Sequence, residues 1–342
     1  MRALTASSIL GLLLLAAPAS HLSGYQDAGH AQDPGVYRVN VRLVLVDAQV
    51  VNKKTHQVVS SLQRDDLRIY EDGVRQQISS FSQDELPLSV VLLFDLTDSV
   101  RPVLKPLAAS ALAALQHFKP QDEVAVMVYA ASTRVIQDFT TDRSLTAAAI
   151  DKASRMESGE AAFFNEAIYQ ASGQLSHGTN PNSRRVIIWL TDDVPNIPSE
   201  EVKDRYGRSL RGGVLHTEKE ALKELFRTGV VVCTLLMRSE ISDQEDSLRD
   251  SSKIIGRMLY PPGEVYKYAQ ASGGEVVESN SRKLPAKLAQ LIDDIRTRYS
   301  LGYHPSMAKP KGKFCAIKVD LAAEVKKAQK DLVVQAKQGY YR

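Results

Sequence analysis

Asp95, Thr97 and Ser99 stand at i, i+2 and i+4 in VVLLFDLTDSV, residues 90–100, where one carboxylate and two hydroxyls leave an apolar run together. Mg²⁺ takes oxygen ligands in octahedral geometry at about 2.0–2.1 Å. A loop leaving a buried strand can aim this spacing at one point, with Asp95 supplying charge and Thr97 and Ser99 neutral oxygens. Neutral ligands leave a metal electrophilic, so a carboxylate from a partner could complete the shell. A second carboxylate, Asp192 in IIWLTDD, also ends an apolar run. Carboxyl ends of strands are where open α/β sheets bind ligands, so the two acids could converge at one rim. The same residues also suit a polar turn tied by its own hydrogen bonds, or a cap before a helix, because Asp, Ser and Thr all favour that position.

Other chemistry finds no support. The seven histidines, at 21, 30, 56, 117, 177, 216 and 304, form no zinc-ligand spacing. There is no G-x-S-x-G, Walker or dinucleotide-binding motif. Ser99 as a nucleophile would need a histidine base in reach, and His216, in the loop after Asp192, reads as a solvated loop residue. The chain therefore reads as non-enzymatic. Cys233 lies in GVVVCTLLM and reads as a buried thiol, and nothing local favours its pairing with Cys315, the one other cysteine. The tyrosines of RYSLGYHP and QGYYR read as packing residues on half-buried strands, a face that could also serve as an interface.

The elements that must position Asp95 and Asp192 alternate. SVVLLFD, DEVAVMVYA, SRRVIIWLTDD, GVVVCTLLM and GEVVES read as strands, with TRVIQDFT a hairpin partner of the second. Between them VLKPLAASALAALQHF, SLTAAAIDKASR, FFNEAIYQASGQL, EKEALKELFRTG, EVYKYAQASGG and LPAKLAQLIDDIRTRY read as helices, with Gly229 a C-cap. This order predicts a doubly wound, mostly parallel α/β sheet over 88–298. Two long polar loops, 198–217 and 238–263, leave strand ends on the ligand side. Residues 37–87 and 299–342 read as β, with EDG at 71–73 a tight hairpin turn. Too short to stand alone, these ends are expected to form one β-sandwich into which the α/β domain is inserted.

With 342 residues, a net charge of +3, 44% apolar and 24% charged residues, the composition is that of a globular protein with no basic block to suggest nucleic acid. MRALTASSILGLLLLAAPAS has Arg2, an apolar core from Ile9 to Ala17 and an A-x-A-like site at Ala19. It reads as a signal peptide, residues 1–19, followed by a disordered leader, 20–36. The apolar run is short of the roughly 20 residues a membrane span needs. An exported protein, periplasmic or extracellular, is expected.

The run D-L-T-D-S after VVLLF resembles the D-x-S-x-S motif of von Willebrand factor type A domains, with Thr97 at the first Ser position, and the element order over 88–298 is similar to that fold. TDD at 191–193 stands where the family has T-D-G. The flanks RLVLVDAQVVNKK, DDLRIYEDGVRQQISSF, RYSLGYHP and QGYYR resemble the secreted bacterial VWFA-related family described mainly from acidobacteria, so the likeness covers 37–342. The resemblance implies a metal-ion-dependent adhesion site that holds Mg²⁺ or Mn²⁺ through Asp95, Thr97, Ser99 and Asp192, and a protein partner whose acidic residue completes the shell. One departure matters. The family's third ligand is a Thr in a G-G-T-A-type turn; here ESGEAAFFNEAIYQA puts Ala162 there, and a methyl group cannot coordinate. Ser158, Glu160 or Glu166 could substitute, though none is in register. Asp193 in place of Gly could help hold a cation or could repel an acidic partner. Two readings stay open: a binding module with a working metal site, and a degenerate site in an envelope-assembly protein that acts through its β-sandwich or loops.

Overall fold

The computed structural model describes residues 43–83, 85–157, 159, 162–194, 216–237, 264–306 and 309–342. The expected signal peptide and leader, the first residues of the expected N-terminal β segment, Ser158, Glu160 and nearly all of the two long loops lie outside the described residues.

Three apolar strands carry the centre of the molecule: β5 (Leu88–Asp95), β6 (Glu123–Tyr129) and β8 (Arg184–Thr191). Both faces of each are apolar, because both are covered. Val90, Leu92 and Phe94 join Val186, Ile188 and Leu190 on one face, against α1 (Arg101–Ala114) and α2 (Arg143–Ser154). Val91 and Leu93 join Ile187 and Trp189 on the other, against α3 (Phe164–Gln174) and α4 (Glu218–Thr228). The sheet is completed by β7 (Thr133–Thr140), β9 (Val231–Met237) and β10 (Val276–Ser279), in the order β10-β9-β8-β5-β6-β7. All pairs are parallel except β6–β7, the hairpin. Helices α5 (Glu264–Ser272) and α6 (Leu284–Arg296) flank β10, one on each side in sequence. Gly229 ends α4 at φ 68, the left-handed conformation of a glycine C-cap.

The chain ends meet in a sandwich of two antiparallel four-stranded sheets. One has the order β13-β1-β11-β4, built from β1 (Val44–Asn52), β4 (Ile78–Ser82), β11 (Tyr299–Tyr303) and β13 (Leu332–Ala336). The other has the order β14-β12-β2-β3, built from β2 (Leu67–Glu71), β3 (Val74–Gln76), β12 (Phe314–Leu321) and β14 (Gly339–Tyr341). Val46 pairs with Leu301, so the first strand is zipped to the segment after the α/β domain. Asp72 (φ 49) and Gly73 (φ 82) form the β2–β3 turn, the two positive angles a type I′ hairpin needs.

Two features differ from the sequence reading. Within the β region 299–342, DLVVQAKQGYYR reads from its apolar pattern as a single strand, but it forms two, one in each sheet: the Gln338 amide donates to the Ala271 carbonyl while the Gln338 carbonyl accepts from Ile317, which bends the chain out of one ladder into the other. A short helix, α7 (Ala323–Ala328), falls between β12 and β13. Cys233 and Cys315 are free and buried in separate apolar clusters. Among the described residues no helix is long and apolar enough to cross a membrane.

Buried arginines join the two parts. Arg184, at the start of β8, donates through Nε to Asp47 on β1 at 3.1 Å and through Nη1 to the Ile295 carbonyl at 2.7 Å. Arg298 donates to Gln49 Oε1 at 2.9 Å and to the Gly273 carbonyl at 2.5 Å.

Candidate functional site

Asp95 is the last residue of β5 and is fully buried. Its Oδ1 accepts from the Thr97 amide at 2.9 Å and the Thr97 hydroxyl at 2.7 Å, a local turn of the kind Asp favours. Its Oδ2 accepts from Tyr129 at 2.7 Å and Thr191 at 2.6 Å, the last residues of the two neighbouring strands. Tyr129 in turn accepts from Trp189 Nε1 at 2.9 Å. All four acceptor positions of the carboxylate are thus filled by donors of the chain.

A row of oxygens leads outward from this buried anchor. Thr97 Oγ1 lies 3.1 Å from Ser99 Oγ, and Ser99 Oγ donates to Asp192 Oδ1 at 3.4 Å. The fold therefore brings together all four residues singled out in the sequence. Thr97 gives its proton to Asp95, which leaves the lone pairs of its hydroxyl for other partners. Asp192 also accepts from the Val194 amide at 3.2 Å. Asp193, at φ 56, accepts from the Val265 amide in the first turn of α5 at 3.4 Å, which ties the rim to that helix.

The third wall is the segment before α3. The Gly159 carbonyl accepts from Asp98 at 3.1 Å and its amide donates to Leu96 at 2.9 Å, so this segment lies alongside 96–98. Ala162 is buried in the apolar cluster that holds Tyr129 and Phe164 and offers no oxygen. Glu166 is engaged elsewhere: its carboxylate accepts from Gln170 at 2.7 Å and lies 2.7 Å from His216 Nδ1. His216 is accordingly not the solvated loop residue expected. Its ring stacks on Tyr169 with centroids 3.4 Å apart and pins the start of α4 to α3.

Burial pushes the Asp95 carboxyl above its ordinary range against the pull of its hydrogen bonds from Thr191, Tyr129 and Thr97. Burial, and then the charge of Asp95, push Asp192 up to about 7. Among the described residues neither carboxylate has a salt-bridge partner. Two buried carboxyls next to two hydroxyls favour a positive charge at the rim. Neighbouring oxygens in an octahedral Mg²⁺ shell lie about 3 Å apart, close to the Thr97–Ser99 and Ser99–Asp192 separations. The donor set fits a hard divalent cation, which Thr97, Ser99 and Asp192 would hold.

Tyr129, Thr191 and Trp189 escaped the sequence reading. Their signal is position: each is a polar-tipped residue within the last three of an apolar strand beside β5.

Residues 90–194 match the von Willebrand factor type A domain family. Over those residues the chain is similar to a type A domain. The match ends just past Asp193, so it takes in every rim residue named above. Among solved structures, the chain is similar to BatB from Bacteroides thetaiotaomicron (16% identity over 60% of this chain and 99% of that one, TM-score 0.37). It is also similar to the pilus adhesin SpaC from Lactobacillus rhamnosus GG (13%, 68% and 33%, TM-score 0.42). A third is the vWF domain of the type V pili tip protein Mfa5 from Porphyromonas gingivalis (12%, 62% and 95%, TM-score 0.39). At TM-scores below 0.5 these likenesses carry no functional argument. No curated protein matches.

Proposed function

We propose that this chain is an exported, non-enzymatic module that binds a protein partner at the rim of its type A domain, with Mg²⁺ or Mn²⁺ held by Thr97, Ser99 and Asp192 and oriented by Asp95. The observation that carries the reading is the row of oxygens from Thr97 to Ser99 to Asp192, 3.1 and 3.4 Å apart, beside a buried carboxylate pair with no basic partner among the described residues. A cation there would offer an electrophilic position to a carboxylate of the partner. Asp95 holds the Thr97 hydroxyl in place, and Tyr129 and Thr191 hold Asp95. The neighbours of Ser99 Oγ are the oxygens of Thr97 and Asp192, the kind of donor set a hard cation takes, which supports binding. Export is supported by the N-terminal pattern of Arg2 and the apolar run from Ile9 to Ala17, and by the likeness of the flanks to secreted bacterial VWFA-related proteins.

Ala162 and the four donors on Asp95 favour a second reading, in which hydrogen bonds close the rim without metal and the protein serves envelope assembly through its sandwich or loops. Thermal unfolding in EDTA and in excess Mg²⁺ or Mn²⁺ separates the two. A ligand at about 100 times its Kd stabilises by about 2.7 kcal/mol, a rise in Tm on the order of 5 °C. The metal reading requires that rise in the natural chain and its loss in Ser99→Ala. A rise confined to Ala162→Thr would leave the second reading standing.

A further inference from the structure

The outer face of the β14-β12-β2-β3 sheet carries a cavity of about 380 Å³, lined by Tyr70, Gly73, Ala316, Ile317, Lys318 and Asp320. Along β12 the side chains alternate: Cys315, Ile317 and Val319 are buried in the sandwich, whereas Phe314, Ala316 and Lys318 are exposed. The register places Lys318 opposite Tyr70 and Tyr70 opposite Arg75. An aromatic side chain thus sits in a cross-strand row between two cations. Ala316 leaves the floor open, and at Gly73 even an added Cβ would meet nothing within 4 Å.

The opposite end of this face is already covered, since Phe226 of α4 packs on Phe314 and Phe314 on Tyr341, with centroids 5.2 and 5.3 Å apart. The Tyr70 end is open. Lys318 has a side chain 72% exposed and only a loose contact to Asp320, at 3.4 Å. Asp320 is held by Lys326 at 2.7 Å. The surrounding segment is basic: residues 299–342 hold nine Lys or Arg against three Asp or Glu.

We propose that this face binds an acidic saccharide, a pyranose that bears a carboxylate. The cavity is within the range of small-ligand sites, roughly 300–1,000 Å³. The ring face of Tyr70 offers an apolar platform for the C–H face of a sugar. Lys318, on the cavity wall, supplies a charge-assisted donor to the sugar carboxylate, and Arg75, on the far side of Tyr70, adds positive charge to the face. Asp320 accepts from hydroxyl groups. Asp320 also favours a uronic acid over a phosphate polymer, because a uronic acid offers hydroxyl donors that a carboxylate can accept and a polyphosphate chain offers none. The site owes nothing to the metal rim and stands whichever reading of the rim holds.

The test is calorimetric titration of the purified protein with a short galacturonic-acid oligomer, beside a neutral glucose oligomer and inorganic polyphosphate. The galacturonate should bind saturably, and more tightly than the neutral oligomer. Lys318→Glu and Tyr70→Ala should each weaken it about tenfold or more, with Tm retained because both side chains lie on the outer face. Lys318→Glu serves as the deciding variant if Tyr70→Ala lowers the Tm. Absence of saturable galacturonate binding would overturn the proposal. So would binding that the deciding variant leaves intact, or that polyphosphate abolishes at equal charge.

Discussion

Tyr129 donates its hydroxyl to Asp95 Oδ2 at 2.7 Å and accepts at the same oxygen from Trp189 at 2.9 Å, so one phenol holds the rim carboxylate and completes the indole beneath it. Tyr129→Phe keeps the ring and its edge contacts to Phe164 and Trp189 but leaves a buried donor and a buried acceptor each one partner short. The expected loss is about 1–3 kcal/mol, read as a lower urea midpoint at unchanged m-value.

The rim has a pH dependence with a defined sign. Burial and Asp95 raise Asp192 to about 7, above an unfolded value of about 3.9. The native state then binds more protons than the unfolded state between those values, so this group makes the metal-free protein lose stability as pH rises through that window. Asp192→Asn should flatten that part of the Tm–pH curve in EDTA. A cation must displace the proton, so stabilisation by Mg²⁺ should be larger at about pH 8 than at about pH 5.5.

The junction responds in the opposite direction. Burial raises Asp47, but Arg184 and Arg298, with hydrogen bonds from Arg184 and Ser300, more than offset it and bring the carboxyl below its ordinary range. Its contribution is present above the unfolded value of about 3.9 and is lost as pH falls through the lower folded value. Asp47→Asn should therefore lower stability at neutral pH and make the acid limb shallower. Arg184→Leu, which strips a buried guanidinium from Asp47 and the Ile295 carbonyl, should cost about 3 kcal/mol by denaturant titration.

Two glycines with similar backbone angles should answer differently to one methyl group. Gly229 (φ +68) has nothing within 4 Å of an added Cβ, so Gly229→Ala carries only the left-handed penalty of about 1–2 kcal/mol. Gly273 (φ +78) would place that atom 2.3 Å from the Ala336 carbonyl carbon. Backbone must move there, and Gly273→Ala should be the more destabilising of the two by denaturant midpoint.

The central sheet was legible in the sequence because its four inner strands, β5, β6, β8 and β9, are apolar on both faces and bounded by turn residues, as in SVVLLFD and GVVVCTLLM. The convergence of Asp95, Thr97, Ser99 and Asp192 was legible for a related reason: in a parallel sheet, residues at the ends of β5 and β8 share one rim. The donors to Asp95 were not, because Tyr129 and Thr191 continue apolar runs whose pattern says only that they are inside. The Glu166–His216 pair joins residues fifty apart through tertiary packing of α3 and α4, which no local pattern encodes. The bend at Gln338 was missed for the same reason: it is set by backbone partners on α5 and β12.

The pairing of Val46 with Leu301 has a consequence for how the chain acquires its structure. Strand β1 leaves the ribosome before either of its neighbours in the sheet exists, since β11 and β13 come from the last part of the chain to be made. Contacts so distant in sequence close slowly. The α/β domain, by contrast, joins most of its strands to near neighbours, and once folded it holds residues 88 and 298 together and shortens the loop the sandwich must close. The sandwich is thus a late-closing clasp, and a chain stopped short of β11 would display an unmatched apolar strand open to capture by a chaperone or by another copy.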